Sequence, residues 1–332
     1  MKMRAVVVPR FGGPEVLRVV DKPRPEPKED QVLVKLKYAG VTYGDVYQRE
    51  GTYRGGVPLK EGDAALPIGT EGAGTVVAAG AGVAHLKEGD SVVYADHMGS
   101  YAEYAAVPAW RVVKVPKAVS LANAAAAFSQ GATAHYLAFD TGKLQAGSSC
   151  LIHAAAGGVG HLLLQFAKMA GARVFTTVGN AEKAAFVRSL GADEAIEYRN
   201  IDFLDEVRRI TGGRGVDVVY DSVGAATIGR SIKAVTMHGL CVLYGNTSGM
   251  VETVAPMELA AAGSIFFTRP RLGHHMRSRE EITKRADAIF SALAGGSLKV
   301  SIQRSFAIDD VAELHRLLQS RATIGKLMLT LE

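Results

Sequence analysis

Between residues 149 and 170 the sequence assembles the parts of a phosphate cradle. Residues 149–152 are a short apolar run, His153-Ala154-Ala155-Ala156-Gly157-Gly158-Val159-Gly160 is a glycine turn, and an amphipathic pattern follows at once. Glycine permits backbone conformations and close approaches that a Cβ forbids, and a helix N-terminus presents unpaired N–H groups to an anion. That combination suits the phosphates of a nucleotide. The spelling departs from a plain Gly-x-Gly-x-x-Gly, so the reading depends on the elements around the turn.

Those elements are regular. Val159, Leu162, Leu163, Phe166, Ala167 and Ala170 recur at the spacing of one buried helical face, and Gly171 stands where a left-handed C-terminal cap belongs. A strand is predicted over 172–178, a helix over 182–190 ended by Gly191, and a strand over 194–198. A helix over 203–210, a strand over 216–220, a helix over 225–237 and a strand over 240–244 follow. Strands alternating with helices at this spacing pair in parallel through right-handed crossovers. The turn therefore opens a dinucleotide-binding unit.

The end of the second strand selects the dinucleotide. A carboxylate about 20 positions beyond the glycines would bind the ribose 2′-hydroxyl of NAD. Here the residues are Val178-Gly179-Asn180, with Asn180 suited to an N-cap and Glu182 to the first helical turn, where its charge suits the dipole. Lys183 is adjacent and Tyr198 ends the third strand. An ammonium without a carboxylate favours a 2′-phosphate, hence NADPH over NADH.

A chain of 332 residues with 48% apolar content exceeds what one core usually supports, so two domains are expected. No uninterrupted apolar stretch reaches membrane-spanning length, and the N-terminal apolar run before Pro9 is too short for a signal peptide; a cytoplasmic protein is the expectation. Cys150 and Cys241 each fall in an apolar strand and read as buried thiols. The net charge of +5 is mild, and the basic run 269–279 lacks interleaved stacking aromatics, so it reads as a solvated loop and nucleic acid is not an expected partner.

Residues 1–122 have another rhythm: short alternating runs punctuated by Gly and Pro, as in a mostly antiparallel, partly barrel-shaped β domain. After residue 271 a helix over 280–294, a strand over 300–306, a helix over 309–320 and a strand over 326–331 are expected to return to it. The α/β parallel-sheet domain, 123–270, is then an insertion between 1–122 and 271–332, and the cleft between the two is the natural place for a substrate.

Several segments, in order along the chain, carry a resemblance: residues 40–53, beginning Gly40-Val41-Thr42-Tyr43-Gly44-Asp45, then 69–76, 153–160, 220–224, 244–249 and 268–270. The sequence resembles, end to end, the zinc-independent NADPH:quinone oxidoreductases, the zeta-crystallin-like branch of the medium-chain dehydrogenase/reductases. The resemblance implies a GroES-like β domain with an inserted Rossmann domain. It implies hydride transfer from NADPH to a quinone without zinc, because Thr42 and Thr70 stand where alcohol dehydrogenase relatives carry Cys and His, and zinc prefers thiolate or imidazole. His274-His275 lacks ligand spacing and reads as loop.

The resemblance further implies site residues. Ala156, Gly157, Gly158, Val159 and Gly160 would cradle the pyrophosphate; Gly179, Lys183, Tyr198 and Arg321 would surround the adenosine phosphate; and Ser222, Gly245, Asn246, Phe267 and Thr268 would line the remaining cofactor. Tyr47 and Thr133 would stand beside nicotinamide and substrate, with Tyr53 at the mouth; a phenol can donate to a developing oxyanion, but tyrosines near a barrel are more often packing residues and water is the other source of the proton. Thr42 replaces the asparagine common in the family and keeps only a hydroxyl for the nicotinamide ribose or substrate. Reduction of unsaturated ketones or aldehydes, or an NADPH-binding scaffold or RNA-binding role, are the alternatives. The apolar edge 263–268 suggests a homodimer.

Overall fold

The computed structural model describes residues 1–52 and 64–331. The chain divides into two units, Met1–Ala132 with Met276–Glu332, and Thr133–His275. The divisions thus fall after 132 and 275, where the sequence reading put them after 122 and 270.

The first unit begins with β1 (Lys2–Val8), β2 (Arg18–Pro23) and β3 (Gln31–Gly40), followed by helix α1 (Tyr43–Arg49). Short β4 (Leu66–Pro67), then β5 (Glu71–Ala79), β6 (Ser91–Ala95), β7 (Tyr104–Pro108) and β8 (Val112–Lys114) complete its N-terminal part, and α2 (Leu121–His135) leads out of it.

In the second unit strands and helices alternate: β9 (Ser149–Ile152), α3 (Gly158–Met169), β10 (Arg173–Val178), α4 (Ala181–Ser189), β11 (Glu194–Glu197), α5 (Phe203–Ile210) and β12 (Val216–Asp221). Then come α6 (Ile228–Lys233), β13 (Val235–Leu243), α7 (Pro256–Ala261) and β14 (Phe266–Thr268). The chain returns to the first unit with α8 (Arg279–Ala294), β15 (Ile302–Ala307), α9 (Val311–Gln319) and β16 (Lys326–Thr330).

The first unit holds a small antiparallel sheet ordered β2-β1-β4 and a larger one ordered β15-β16-β3-β5-β6-β8, with β7 also on β3. The path is open rather than a closed barrel. It is antiparallel except for β15 on β16. Its core alternates along the strands as half-buried β residues must: Val32, Val34 and Leu36 of β3 meet Val76, Val92, Val107, Leu327 and Leu329.

The second unit is a six-stranded parallel sheet ordered β11-β10-β9-β12-β13-β14. The chain starts at its centre, winds outward through β10 and β11, then crosses to β12, so the order reverses between β9 and β12. In such sheets ligands bind beyond the carboxyl ends of the strands at that switch point. The helix expected over 225–237 is a correction: α6 occupies only Ile228–Lys233, and Val235 already pairs with Val216 in β13. A left-handed His238 (φ 58°) then bends the strand back to continue the sheet through Leu240. Cys150 and Cys241 are free and fully buried in β9 and β13, and burial raises both thiols' pKa values, which leaves them unreactive.

Candidate active site

The glycine turn lies at the switch point. His153 N donates to Tyr220 O (3.0 Å), and Ala155 N to Thr177 O (3.3 Å), so the turn is stitched to both strands that flank β9. Ala154 adopts φ +50°, a left-handed conformation that costs a residue with a Cβ about 1–2 kcal/mol. Gly157 is the extended N-cap of α3 (φ −82°, ψ 179°). At Gly160 a Cβ would lie 2.6 Å from Ala154 O and 2.7 Å from Ala155 Cα, so only glycine lets the helix pack this closely on the turn. Ala156, Gly157, Gly158, Val159 and Gly160 are therefore gathered at the start of α3, whose first amides have no preceding helical carbonyl to bond.

The second cluster closes β10. Asn180 caps α4 by accepting from Lys183 N (2.9 Å), which puts Glu182 in the first turn as expected. The Tyr198 hydroxyl lies over Gly179, where a Cβ would approach it to 3.1 Å. Burial, and then the neighbouring charge of Arg199, pull the Lys183 ammonium below its ordinary pKa. Arg199 was missed by sequence reasoning, although it directly follows Tyr198 just past β11. Lys183 thus feels both the Arg199 and the Glu182 charge, while β10 itself runs out through Val178-Gly179-Asn180 without a carboxylate.

Around the ends of β12 and β13, Gly245 packs against Ser222 so closely that a Cβ would lie 2.6 Å from Ser222 O. The Asn246 amide suits its neighbours with nitrogen toward Gly245 O (2.9 Å) and oxygen toward Arg269 Nη2 (3.3 Å). Phe267 and Thr268 lie in β14, paired with Cys241 and Val242. Asp221, also missed from the sequence, organises this loop: its Oδ1 accepts from Val223 N (2.8 Å), Gly224 N (2.9 Å) and Thr227 Oγ1 (2.9 Å).

In the first unit, Thr42 and Asp45 form a reciprocal capping box at the start of α1. Asp45 Oδ2 accepts from Thr42 N (2.8 Å), Thr42 Oγ1 (3.1 Å) and Tyr101 Oη (3.2 Å). The box sets the helix that carries Tyr43 and Tyr47, whose rings lie 5.8 Å apart. Asp45 is fully buried, its Oδ1 has no hydrogen-bond partner among the described residues, and burial pushes its carboxyl up to about 6. Beyond Tyr101, His315 Nε2 lies 3.4 Å from the phenol and Nδ1 lies 3.1 Å from Arg49 Nη1. Arg321 (φ +60°) stands in this unit with its guanidinium hydrogen-bonded to Tyr43. Thr133 is half-buried on α2, the first residue of the second unit. Tyr53 lies outside the described residues.

Two family models match the chain: an alcohol dehydrogenase GroES-like domain over residues 28–117 and a zinc-binding dehydrogenase over residues 158–292. The chain is 39% identical over 325 residues to quinone oxidoreductase 1 of Escherichia coli, covering 96% of this chain and 97% of that protein. It is 36% identical to a 2-haloacrylate reductase of a Burkholderia species, covering 98% of each. The crystal structure of E. coli quinone oxidoreductase complexed with NADPH superposes with a TM-score of 0.93 at 38% identity, covering 98% of this chain and 99% of that one.

The zinc in one model's description does not fit these residues. Thr42 and Thr70 offer hydroxyls, both cysteines are buried in the other unit, and Glu71, next to Thr70, is already held by the Lys326 ammonium at 2.7 Å. Among the described residues no three His, Cys, Asp or Glu side chains form a metal-binding group.

Proposed function

The chain belongs to the zeta-crystallin-like quinone oxidoreductases of the medium-chain dehydrogenase/reductase superfamily, and from that premise we infer how its own residues carry the reaction. It is an NADPH:quinone oxidoreductase. One observation carries this: a chain alike over 98% of its length to an NADPH-complexed quinone oxidoreductase ends its β10 with Lys183 and Arg199 nearby and no carboxylate.

NADPH supplies a hydride from nicotinamide C4 to the quinone. The residues Ala156 to Gly160 hold the pyrophosphate through first-turn amides of α3. Gly179, Lys183, Tyr198 and Arg199 receive the 2′-phosphate. Ser222, Gly245, Asn246, Phe267 and Thr268 line the remaining cofactor, and Thr42 offers a hydroxyl to the nicotinamide ribose or substrate. The residues proposed for the substrate side are Tyr47 and Thr133. The Tyr47 phenol donates a hydrogen bond to the oxygen on which negative charge develops, which lowers the barrier whether the proton then comes from the phenol or from water. The protein's main contribution is orientation.

The likeness to a 2-haloacrylate reductase favours a second reading, reduction of an activated carbon–carbon double bond with the same donor. Following NADPH absorbance against para- and ortho-quinones, enones and 2-haloacrylate separates the two. Faster turnover of quinones supports the main reading, turnover confined to activated alkenes replaces it with the second, and no oxidation with any acceptor despite cofactor binding leaves a scaffold.

The assembly we favour is a homodimer. β14 is the terminal strand of its sheet, and Phe266 on it and Met237 on β13 are 65% and 70% exposed, an apolar edge that a second copy would cover. A monomer mass in light scattering would overturn this. No helix among the described residues is long and apolar enough to cross a membrane; with two free buried thiols, we place the protein in the reducing cytoplasm.

A further inference from the structure

Beneath the glycine turn runs a buried side-chain relay that the reaction as described does not use. His153 Nε2 lies 3.0 Å from Ser231 Oγ, and Ser231 Oγ donates to Asp221 Oδ2 at 2.6 Å. The single hydroxyl proton of Ser231 is thus spent on the carboxylate, so His153 Nε2 must be the donor to Ser231. Burial lowers the pKa of His153 and keeps the imidazole neutral, so Nδ1 is an acceptor, and the Thr177 hydroxyl 2.8 Å away donates to it. The direction is uniform: Thr177 to His153 to Ser231 to Asp221.

The three residue types are those of a hydrolytic triad, but the order excludes that chemistry. Serine lies between histidine and aspartate, donates to the carboxylate rather than to the imidazole, and has no exposed surface. What the relay does is mechanical. Thr177 belongs to β10, His153 follows β9, Asp221 ends β12 and Ser231 lies on α6, so the relay joins the ends of the three adjacent strands at the switch point. Thr177 is 2% exposed, His153 1% and Asp221 0%, and Phe203 packs edge-on to the imidazole at 4.6 Å. Each end of the relay also organises a ligand-facing loop. Asp221 Oδ1 collects the amides of Val223 and Gly224, Ser222 Oγ donates to His153 O (3.4 Å), and His153 directly precedes the left-handed Ala154 of the turn.

We propose that His153 is a positioning residue for the dinucleotide, locking the glycine turn and the 222–224 loop into one spatial register through Thr177 on one ring nitrogen and Ser231–Asp221 on the other. The proposal rests on the reading of residues 156–160 as the phosphate cradle.

The test is NADPH affinity of the whole protein by calorimetric titration, beside thermal melts of the unliganded form. Thr177→Val removes the hydroxyl at nearly constant volume, and Thr177→Ser restores it. Thr177→Val and Ser231→Ala are expected to weaken NADPH binding about tenfold, which is 1.4 kcal/mol, with kcat at saturating NADPH within about twofold of wild type, while Thr177→Ser stays near wild type. A purely structural role would lower the melting temperature and leave the affinity of the folded protein unchanged. Wild-type affinity in folded Thr177→Val, or equal losses in Thr177→Val and Thr177→Ser, overturns the inference. Gly160→Ala separates this from the underlying reading: if it leaves binding intact, the cradle is wrong and the proposal falls with it. If it abolishes binding while Thr177→Val does not weaken it, only the relay is wrong.

Discussion

Lys326 and Glu71 face each other at 2.7 Å with both side chains wholly removed from solvent. The pair joins β16 to β5 across 255 residues of sequence, and Glu71 Oε1 also accepts from Ser129 N on α2 at 2.7 Å. A buried pair gains little over an apolar replacement, but breaking it leaves a charge without compensation. Lys326→Met is therefore expected to cost about 3–5 kcal/mol, read from urea unfolding. The double variant Lys326→Met/Glu71→Leu should recover most of that loss. Single and double variants of equal stability would contradict the pairing.

Asp45 and His315 lie on either side of the Tyr101 hydroxyl, and burial perturbs them with opposite consequences for pH. Asp45 is raised from 3.8 to about 6, so between those values the folded state holds a proton that the unfolded state has lost, and its contribution to stability falls as pH rises through that window. His315 is lowered from 6.5 to about 3 by burial and then by Arg49, so the unfolded state takes a proton that the folded state refuses, and its contribution falls as pH drops below 6.5. Relative to wild type, Asp45→Asn should gain about 2 kcal/mol between pH 4 and pH 7, and His315→Gln about 2 kcal/mol between pH 7 and pH 5. Urea midpoints across pH check both; curves parallel to wild type would refute the assignment.

Lys183 and Arg199 form the 2′-phosphate site proposed here. Lys183→Ala and Arg199→Ala should each raise the KM for NADPH about tenfold or more and leave the KM for NADH within about twofold, since a lost charge-assisted hydrogen bond is worth roughly 1.5–3 kcal/mol. Equal losses for both cofactors in steady-state kinetics would remove these two cations from the site.

Ala154 holds φ +50° at an exposed position of the turn. Glycine occupies that region without the Cβ penalty, so Ala154→Gly should stabilise the unliganded protein by about 1 kcal/mol, less the extra entropy of the unfolded chain. The expected readout is a melting temperature equal to or above wild type; a lower one would mean that this conformation carries no strain.

Much of the second unit was legible because its signals are local. The apolar periodicity of β9 and α3, the left-handed Gly171 (φ +79°) and the Asn180 cap each depend on residues within a few positions of one another. Where locality failed, the reading failed. The helix expected over 225–237 ran on because Val235 to Met237 suit either state alone, and only their parallel neighbour β12 drew them into β13. Helix α2 has alanines buried on several sides, so no polar stripe marks its period. Helix α1 is seven residues long, too short for periodicity, and its signal is the Thr42 and Asp45 box alone.

The βαβ unit, the glycine turn and the lack of a carboxylate at the end of β10 can be read from the residues in chain order, since each follows from near neighbours and their backbone preferences. Tertiary structure decided which charges and hydroxyls meet: Arg199 beside Lys183, Lys326 against Glu71, and Thr177, His153, Ser231 and Asp221 in one directed relay. Those partners lie on different elements, and burial compels them to satisfy one another only once the sheets have brought them into contact.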